Sequence, residues 1–366
     1  MKICIVTSCL RNGGAERVAA SLANGFVAHG HDVMVLTNLY EKQVYKLDTK
    51  VVLDNFVGSF SNKFLKWVKA IFILRKLLKK NKPDVVIGIM EFCSFLSRMA
   101  TVGLKIPVIA TEHNSFDRPK EAALNKFGYF AKFKLNKIYK LVTVLTKADK
   151  DFIGKRLSNI VVMPNPLCLE VADKEKLLDK KPVIVAAGRV DAWHCKGFDV
   201  LLNAWAKIAN QHPNWKILIA GNWKEQDSYS YLENIIEQND IQDSVEFLGF
   251  QNDIQKVFQK ASIFVLSSRY EGFGLVLIEA MSQGCACVAC DYKGRQKEII
   301  QNENEGILCK PDDIEDLARS IDKMITDEAY RHEVQRNAIE RSKFYSQEHI
   351  VGMWEEVITN VKKQNK

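Results

Sequence analysis

Apolar runs of membrane-spanning length are missing from this sequence of 366 residues. A transmembrane helix needs about 20 consecutive apolar residues, and the longest apolar runs here stop well short of that. A signal-peptide pattern is missing as well, because the apolar start MKICIVTSCL continues into Arg-Asn-Gly-Gly rather than into a cleavage site. We therefore expect a cytoplasmic protein whose chain begins with a β-strand.

A disulfide framework and a standard metal site are also lacking. The nine cysteines are an odd number and are scattered through apolar surroundings, which is typical of reduced thiols. They cluster only at Cys285, Cys287 and Cys290, where no fourth ligand stands at a standard metal spacing. A buried strand filled with small side chains explains this cluster better than a metal site does.

Charge is distributed unevenly along the chain. Residues 1–165 hold 27 Lys and Arg against 12 Asp and Glu, which gives this part a net charge of +15. The remaining residues hold 25 against 32, a net charge of −7, in agreement with the formal +8 of the whole chain. A basic half indicates an anionic partner. Nucleic acid, an anionic membrane surface and a phosphorylated substrate all fit this pattern.

Apolar runs of strand length alternate with helical patterns from end to end. KICIVTS, a helix over residues 15–30 and HDVMVLTN form a strand–helix–strand repeat, which is typical of a parallel sheet covered by helices. Further strands are predicted at 84–90, 107–113, 141–146, 159–165, 183–190, 215–222, 244–250, 263–268, 285–291 and 306–310.

A polar connector with Pro164, Pro166 and Pro182 interrupts this alternation. The predicted fold class is therefore α/β, with two Rossmann-like parallel-sheet domains that face each other across a cleft. We expect an N-terminal domain over residues 1–168, a C-terminal domain over 169–346, and a helix at about 347–366 that packs back on the N-terminal domain. Ligands of such sheets bind beyond the carboxyl ends of the strands, so the cleft is the expected site.

Two loops at predicted strand ends have features of a phosphate site. Gly13 and Gly14 precede the first helix, whose N-terminus attracts anions, although their spacing is not the dinucleotide fingerprint. Arg189 and Lys196 lie on the loop after the strand VIVAAGRV, and two cations there suit a diphosphate. A plain tight turn and two surface charges are the respective alternatives.

Three further side chains are candidates because of where they stand. His113 follows a very apolar strand, at the end expected to face the cleft, and is either functional or structural. In SSRYEGFGLVLIEAM, Glu271 follows a strand and precedes a glycine turn into an apolar helix that contains Glu279. A carboxylate there can accept hydrogen bonds from vicinal hydroxyls such as those of a ribose. An exposed helix residue is the alternative for Glu279.

Together these segments resemble the GT-B-fold glycosyltransferases, specifically the large retaining family four, over nearly the whole chain. SSRYEGFGLVLIEAM contains the Glu-x7-Glu signature of that family, Glu271 and Glu279. Bacterial transferases of surface-polysaccharide and protein-glycan pathways, which use UDP-hexoses or UDP-N-acetylhexosamines, are the most similar. The segments that carry the resemblance are NGGAER (12–17), EHN (112–114), MPNP (163–166), GRVDAWHCKGFD (188–199), EFLGF (246–250) and SSRYEGFGLVLIEAM (267–281).

The resemblance implies a role for each matching residue. The catalytic residues are His113, which approaches the donor sugar, Glu271, which binds its hydroxyls, and Arg189 and Lys196, which grip the diphosphate. Among the donor-binding residues, Glu279 contacts the ribose and Phe250 lies beside the base. The full donor-binding set is Gly14, Gly272, Phe273, Gly274, Leu275, Glu279, Phe250 and Asn222. Gly13, Glu16 and Arg17 lie at the acceptor. The segment DYKGRQKEII replaces a Gly-Pro-type turn of many relatives.

The expected chemistry needs neither a metal ion nor a cofactor. We identify no Asp-x-Asp motif that suggests a metal-bound diphosphate, so Arg189, Lys196 and helix amides are expected to stabilise the leaving group. The resemblance implies retention of the anomeric configuration. No carboxylate is clearly placed as a nucleophile, so we favour a front-side attack in which the leaving phosphate takes the proton of the acceptor.

Two other function classes are compatible with parts of the sequence. A UDP-sugar 2-epimerase shares the GT-B architecture but has no need of a basic, apolar N-terminal face. A non-catalytic protein that binds an anionic membrane would use the basic half, but it would not need the Glu271/Glu279 and Arg189/Lys196 pairs. Nucleic acid is disfavoured as a partner because no recognisable binding module accompanies the basic runs.

Two basic segments predict where a lipid-linked acceptor binds. The pattern of residues 62–82 predicts a helix with an apolar side and a lysine-rich remaining surface. Packing of this helix on a sheet would also explain its apolar side. Residues 118–140 combine aromatic side chains with lysines directly after His113. We expect this second segment to rest on the inner, anionic face of the cell membrane. There, lysines such as Lys126 and Lys132 would hold the diphosphate of a polyprenyl-linked glycan acceptor.

Overall fold

The computed structural model describes residues 1–11, 13–40, 43–57, 63–119, 122, 124–173 and 180–364, without the side chains of 63, 64 and 127. The chain splits into two compact units. The N-terminal unit comprises Met1–Cys168 and Ser346–Lys366, and the C-terminal unit comprises Leu169–Tyr345.

Seven parallel strands form the sheet of the N-terminal unit within the described residues, in the order β3-β2-β1-β4-β5-β6-β7. Buried apolar runs such as VVIGI at residues 85–89 produce these strands, as expected for a sheet covered on both faces. The strands are β1 Lys2–Val6, β2 Asp32–Thr37, β3 Val52–Asn55, β4 Val85–Ile89, β5 Val108–Thr111, β6 Leu141–Val144 and β7 Ile160–Val162.

Six helices of the N-terminal unit are described. They are α1 Gly14–Ala28, α2 Lys63–Asn81, α3 Met90–Ala100, α4 Lys126–Phe133, α5 Lys147–Ile153 and α13 Gln347–Lys363. A short 3-10 helix, Leu135–Ile138, follows α4. The core of this unit lies where α2 and α3 cover the sheet, with Leu74, Leu78 and Leu96 among its buried side chains.

Six parallel strands form the sheet of the C-terminal unit within the described residues, in the order β10-β9-β8-β11-β12-β13. The strands are β8 Lys181–Ala187, β9 Lys216–Ala220, β10 Val245–Gly249, β11 Ala261–Leu266, β12 Ala286–Cys290 and β13 Ile307–Cys309. The helices are α6 Trp193–Lys196, α7 Phe198–Ala206, α8 Gln226–Gln238, α9 Ile254–Lys260, α10 Leu275–Ser282, α11 Ile314–Thr326 and α12 Glu328–Ser342.

Each sheet reverses its strand order once. In the N-terminal unit the reversal lies between β1 and β4, and in the C-terminal unit it lies between β8 and β11. The crevice beyond the carboxyl ends at such a point is where open α/β sheets bind ligands. The loops after β1 and β8 carry Gly13 and Arg189, so both candidate loops stand at a reversal.

The predicted α/β class and the two parallel sheets are confirmed, and one strand was missed. β3, Val52–Asn55, is an edge strand in which Val52 and Leu53 are exposed. It has no buried apolar run, and it therefore lacks the signal that identified the other strands. Residues 164–173 of the predicted connector are irregular, its residues 174–179 lie outside the described part of the chain, and its last two residues, 181 and 182, already belong to β8.

The cysteine cluster forms a buried strand rather than a metal site. Every residue of β12 is buried, and burial raises the pKa of the thiols of Cys285 and Cys287. The nine cysteines form no disulfide. No helix among the described residues is both long and apolar enough to span a bilayer.

The C-terminal helix α13 packs on α1 within the N-terminal unit. The side chains of α13 pack directly on Gly25 of α1, where an added Cβ would lie 2.6 Å from Cγ2 of Val351. The side chain of Gln347 donates a hydrogen bond of 2.7 Å to the carbonyl of Ser21. Farther along α13, Glu355 lies 2.6 Å from Nε2 of His31. The last helix in the chain therefore belongs to the same compact unit as the first strand.

Candidate active site

Backbone hydrogen bonds join the loops at the carboxyl edge of the C-terminal sheet. The amide of Gly188 donates to the carbonyl of Ala220 at 2.9 Å, and the amide of Val190 donates to that of Asn222 at 3.0 Å. A Cβ on Gly221 would lie only 1.7 Å from the carbonyl oxygen of Gly188, so this approach requires glycine. The loop that carries Arg189 is therefore held beside the loop that carries Asn222.

Phe250 belongs to the next loop along this edge. The amide of Gly221 donates to the carbonyl of Gly249 at 2.9 Å, which joins the end of β10 to the end of β9. The Phe250 side chain is half exposed. An exposed aromatic ring at a strand end can stack on a planar base, and the resemblance implies that this residue lies beside the base.

On its other side, the loop after β8 is held against the loop after β11. The hydroxyl of Ser267 donates to the carbonyl of Lys196 at 2.9 Å, and the amide of Arg269 donates to that of Cys195 at 2.9 Å. Gly197 between them has a φ of +64°, and an added Cβ would lie 2.0 Å from the carbonyl oxygen of Ser267. These contacts fix Lys196 beside the segment that contains Glu271.

Lys196 and Glu271 form an ion pair, with Nζ donating to Oε1 of the carboxylate. Both side chains are mostly buried, at 21% and 15% exposure. Burial acts to lower the pKa of Lys196, but the Glu271 carboxylate more than offsets this and raises that pKa above the usual lysine value. The ammonium group is therefore charged at any physiological pH, and the surface-charge alternative does not apply to Lys196.

Arg189 is exposed, unlike Lys196. Its positive charge acts against protonation of Lys196, which indicates that the two cations are close enough to interact. Two cations at one strand end can bind the oxygens of a diphosphate, with the planar guanidinium contributing paired donors.

Arg269 is a structural residue that the sequence analysis missed. Its guanidinium donates two hydrogen bonds of 2.7 Å to the carboxylate of Asp199 and one of 2.8 Å to the carbonyl of His194. Asp199 raises the pKa of this arginine. Because α6 and α7 are thereby tied to the β11 loop, Arg269 supports the position of Lys196. Its place between Ser268 and Tyr270, inside the signature segment, was the available signal.

The start of α10 presents backbone amides at the same edge. Gly274 has a φ of +93° and turns the chain into the helix, and Phe273 before it is buried against Tyr345. The first amides of a helix have no partner inside it and attract anions. The side chain of the fully buried Gln296 holds this turn by donating to the carbonyl of Phe273 at 3.3 Å. Gln296 belongs to the DYKGRQKEII segment, which therefore supports the turn.

Glu279 lies one turn into α10 and is only 3% exposed. Its neighbours Leu277, Ile278 and Ala280 are buried as well. The exposed-helix alternative for this residue is therefore wrong. A buried carboxylate is costly unless its charge is compensated, and this distinguishes Glu279 from the apolar side chains around it.

Gly197→Ala is expected to destabilise the C-terminal unit more than a positive φ alone would. A left-handed conformation costs an alanine about 1–2 kcal/mol, and here the new methyl group also collides with the backbone carbonyl of Ser267. We expect a loss of about 3 kcal/mol in the free energy of unfolding, measured by urea denaturation. Gly249→Ala is the matched control, because Gly249 has a φ of +65° but nothing within 4 Å of an added Cβ. Equal losses in the two variants would contradict the steric argument.

In the N-terminal unit, four candidates stand at the start of α1. Gly13 caps the helix, and an added Cβ there would lie 1.9 Å from Oε2 of Glu16. Burial raises the pKa of Glu16. Gly14 is exposed, and Arg17 follows one turn on, with its amide donating to the Gly13 carbonyl at 3.1 Å. The side chain of Glu16 therefore lies directly against Gly13 at the helix N-terminus. Asn12 lies outside the described residues.

His113 stands just after β5 with its ring held by a strand residue. Its Nε2 lies 3.0 Å from the hydroxyl of Thr111. The pKa of His113 is lowered to about 4, mainly by burial, with Asn165 acting in the opposite direction and the charge of Lys132 adding a smaller lowering effect. The ring is therefore neutral at physiological pH. In that form it can accept a hydrogen bond from a substrate.

Lys132 does not lie at the protein surface, and its predicted role in acceptor binding is wrong. The side chain is completely buried, and its Nζ donates to Oε2 of Glu112 at 2.7 Å. The aromatic side chain of Phe133 next to it is buried too. The helix α4 turns these residues towards the sheet, because a helix that covers a sheet must bury one face. Lys126, by contrast, is exposed.

Asp149-Lys150-Asp151 does have the Asp-x-Asp spacing, contrary to the sequence analysis. Asp149 is buried and accepts hydrogen bonds from the hydroxyl of Ser115 at 3.1 Å and the amide of Phe116 at 2.8 Å. Its carboxylate is therefore occupied in holding a loop. Among the described residues, no group of three or more His, Cys, Asp or Glu side chains is arranged to hold a metal ion.

Family comparisons account for most of the chain. A profile described as "Glycosyl transferases group 1" matches residues 170–341, and one described as "Glycosyltransferase Family 4" matches residues 12–171. The first therefore covers the segments around Arg189, Lys196 and Glu271, and the second covers those around Gly13 and His113.

Individual proteins are similar over their full lengths. An uncharacterised glycosyltransferase of Haemophilus influenzae is 29% identical over 94% of this chain and 96% of its own length. A Campylobacter jejuni alpha-1,4-N-acetyl-D-galactosaminyltransferase, whose name includes a GalNAc-containing diNAcBac-PP-undecaprenol, is 28% identical over 99% of both chains. The structure of Anabaena HepE in complex with UDP-glucose aligns with a TM-score of 0.81, at 20% identity over 98% of this chain and 100% of that one. This chain shares the fold of that protein.

Proposed function

Because the chain belongs to the GT-B-fold glycosyltransferases of group 1 and family 4, we propose a specific transfer reaction for it. The donor is a UDP-hexose or UDP-N-acetylhexosamine, and the acceptor is a lipid-linked glycan or polysaccharide precursor. The reaction retains the anomeric configuration and needs no metal ion. The UDP-glucose in a structure of the same fold and the undecaprenol in the name of a full-length relative support these substrate classes.

The Lys196–Glu271 ion pair is the observation that carries this proposal. A permanently charged ammonium group, the exposed Arg189 and the first amides of α10 lie at one sheet edge, where a strand-order reversal favours ligand binding. When a glycosidic bond to a diphosphate breaks, negative charge grows on the leaving oxygen. Cations and amides that are already in position stabilise that charge without reorganisation.

The other candidate residues receive roles in the same reaction. Glu271 binds hydroxyls of the donor sugar, Glu279 those of the ribose, and Phe250 stacks on the base. Gly272, Phe273, Gly274, Leu275, Asn222 and Gly14 complete donor binding. His113 contacts the reacting sugar. Gly13, Glu16, Arg17 and Lys126 bind the acceptor. The proton of the acceptor hydroxyl passes to the leaving phosphate in a front-side attack.

A nucleotide-release screen tests the proposed reaction. UDP-, GDP- and ADP-sugars are combined with polyprenyl-diphosphate-linked sugars, with and without EDTA, and the anomeric configuration of the product is read by NMR. We expect UDP release that depends on the acceptor, persists in EDTA and yields a product of unchanged configuration. Inversion, strict dependence on a divalent ion, or an epimerised UDP-sugar formed without acceptor would contradict the corresponding part of the proposal.

We also propose that the enzyme acts at the cytoplasmic membrane face through the segment around α4. Its outward side chains are apolar or cationic: Tyr129, Phe130 and Ile138 are exposed, as are Lys126, Lys134 and Lys137. Lysines near an anionic surface each contribute about 1 kcal/mol, and aromatic side chains suit the headgroup layer. Lys120 and the side chain of Phe127 lie outside the described residues.

Reversal of the three exposed lysines should abolish most membrane binding. Changing Lys126, Lys134 and Lys137 to Glu is expected to lower affinity for phosphatidylserine vesicles by roughly 100-fold or more, measured by co-sedimentation. Binding of the unmodified protein should fall as salt rises, because exposed charges are screened. The control changes three exposed lysines of the C-terminal unit, Lys181, Lys216 and Lys260, to Glu. Equal recovery on neutral and anionic vesicles would refute the membrane role.

A further inference from the structure

Two buried carboxylates anchor the loop that contains His113. Before the histidine, Glu112 accepts hydrogen bonds from Nζ of Lys132 at 2.7 Å and from Nδ2 of Asn136 at 3.0 Å. After it, Asp149 accepts bonds from the side chain of Ser115 and the amide of Phe116. The backbone on both sides of His113 is therefore anchored to side chains of the interior. Such anchoring fixes where the imidazole ring points.

Lys132 is an unusual member of this network. Its side chain is 0% exposed, although lysine is almost never fully buried. The ammonium group also lies 3.3 Å from Oε1 of Glu91 and 4.2 Å from the centre of the Phe116 ring. A buried ion pair often contributes little net stability, because desolvation offsets the attraction between the charges. Stability alone is therefore a weak explanation for a lysine at this position.

The hydrogen bonds of Thr111 determine which ring nitrogen of His113 carries the proton. The Thr111 hydroxyl donates to the carbonyl of Gly88 at 3.1 Å and receives the amide of Met90 at 3.3 Å. A hydroxyl has one proton, and here it goes to Gly88. Nε2 of His113, at 3.0 Å, must therefore donate to the Thr111 oxygen. In the neutral ring the lone pair is then on Nδ1.

We propose that Lys132 is a positioning residue of the transfer reaction: its ion pair with Glu112 fixes the His113 loop and thereby the direction of the His113 ring. His113 then presents Nδ1 as a hydrogen-bond acceptor for a hydroxyl of the reacting sugar. The second part rests on the function proposed above, in which His113 contacts that sugar. The first part concerns this chain alone.

The charges around the ring agree with this assignment. The pKa of His113 is lowered to about 4, mainly by burial; the Asn165 side chain acts against this, and the charge of Lys132 acts with it as the smallest of the three effects. The ionisable groups of the network come from three elements: Glu112 from the end of β5, Glu91 from α3 and Lys132 from α4. Burial raises the pKa of Glu112, which the charge of Lys132 opposes. Above about pH 4 the ring is therefore an acceptor at Nδ1.

The test is an NMR titration of the full chain labelled with ¹⁵N-histidine. In the unmodified protein we expect His113 to titrate near pH 4, with Nε2 protonated and Nδ1 unprotonated above that pH. A pKa near the ordinary histidine value, or a proton on Nδ1, would overturn the proposal before any substitution is made.

Substitutions then separate the role of Lys132 from simple folding. The double variant Lys132→Met/Glu112→Gln removes both charges, so that neither is left unpaired in the interior. Because a cation and an anion beside His113 are removed together, their effects on its pKa oppose each other. The readout is therefore the tautomer: without the ion pair that fixes the loop, the ¹⁵N spectrum should show both neutral forms of the ring instead of the Nε2-protonated form alone. The control Lys155→Met removes an exposed lysine of the same unit and should leave the tautomer unchanged. A single Nε2-protonated form in the double variant would refute the role of Lys132.

Enzyme activity is the second measurement. With the donor and acceptor that give the fastest UDP release in the screen, kcat of the double variant should fall by about 10-fold or more while the Kd for UDP stays unchanged, because the acceptor nitrogen of His113 is no longer held in place. Mixed tautomers with an unchanged kcat would refute the contact of His113 with the sugar. That result would leave the effect of Lys132 on the ring intact. The two failures are therefore distinguishable.

Discussion

Lys196→Ala is expected to lower kcat by about 100- to 1,000-fold, the usual effect of removing one group that stabilises transition-state charge. In the proposed reaction the ammonium group binds the diphosphate most strongly when the glycosidic bond is breaking. Loss of such an interaction lowers kcat and kcat/KM together. The measurement is steady-state UDP release with saturating acceptor, together with the Kd for UDP from calorimetry. We expect the Kd to rise much less than kcat falls.

A matched lysine of the same unit provides the control for this variant. Lys207 also forms an ion pair, at 2.7 Å from Glu315, but both members of this pair are well exposed. Surface pairs of this kind contribute little, so Lys207→Ala should keep the activity of the unmodified enzyme. A Lys196→Ala enzyme with an increased KM and an intact kcat would show that this lysine serves ground-state binding only.

Glu279→Gln is expected to weaken donor binding by about 10- to 100-fold, which corresponds to the 1.5–3 kcal/mol of a hydrogen bond to a charged group. The amide has nearly the same volume as the carboxylate, so the buried side of α10 should remain packed. Because the ribose contact is the same before and during the reaction, kcat should change less than the Kd for UDP. Calorimetric titration of UDP measures this directly.

The control for Glu279 lies on another helix of the same unit. Glu237→Gln makes the same chemical change on the exposed side of α8 and should leave UDP binding unaltered. If titration curves for Glu279→Gln overlay those of the unmodified protein, Glu279 does not bind the ribose. The reason for its burial would then be structural.

The two parallel sheets could be predicted from the sequence because buried parallel strands are continuous apolar runs. Twelve of the 13 observed strands coincide with a predicted run, with ends that differ by a few residues. β3 was missed because its Val52 and Leu53 are exposed at the sheet edge. The loops that carry Gly13, Arg189 and Glu271 could also be located, since each follows such a run.

The sequence by itself determined the alternation of strands and helices, and hence which residues end a strand. Only the tertiary structure decided the strand order, the ion pair of Lys196 with Glu271, and the complete burial of Lys132. The physical reason is that the sequence shows a lysine in the same way whether its charge faces water or a buried carboxylate. Its environment depends on which helix face turns inward and on partners that are 20 to 75 residues away. Local patterns record strand and helix formation, whereas the energy of a buried charge is set by long-range contacts.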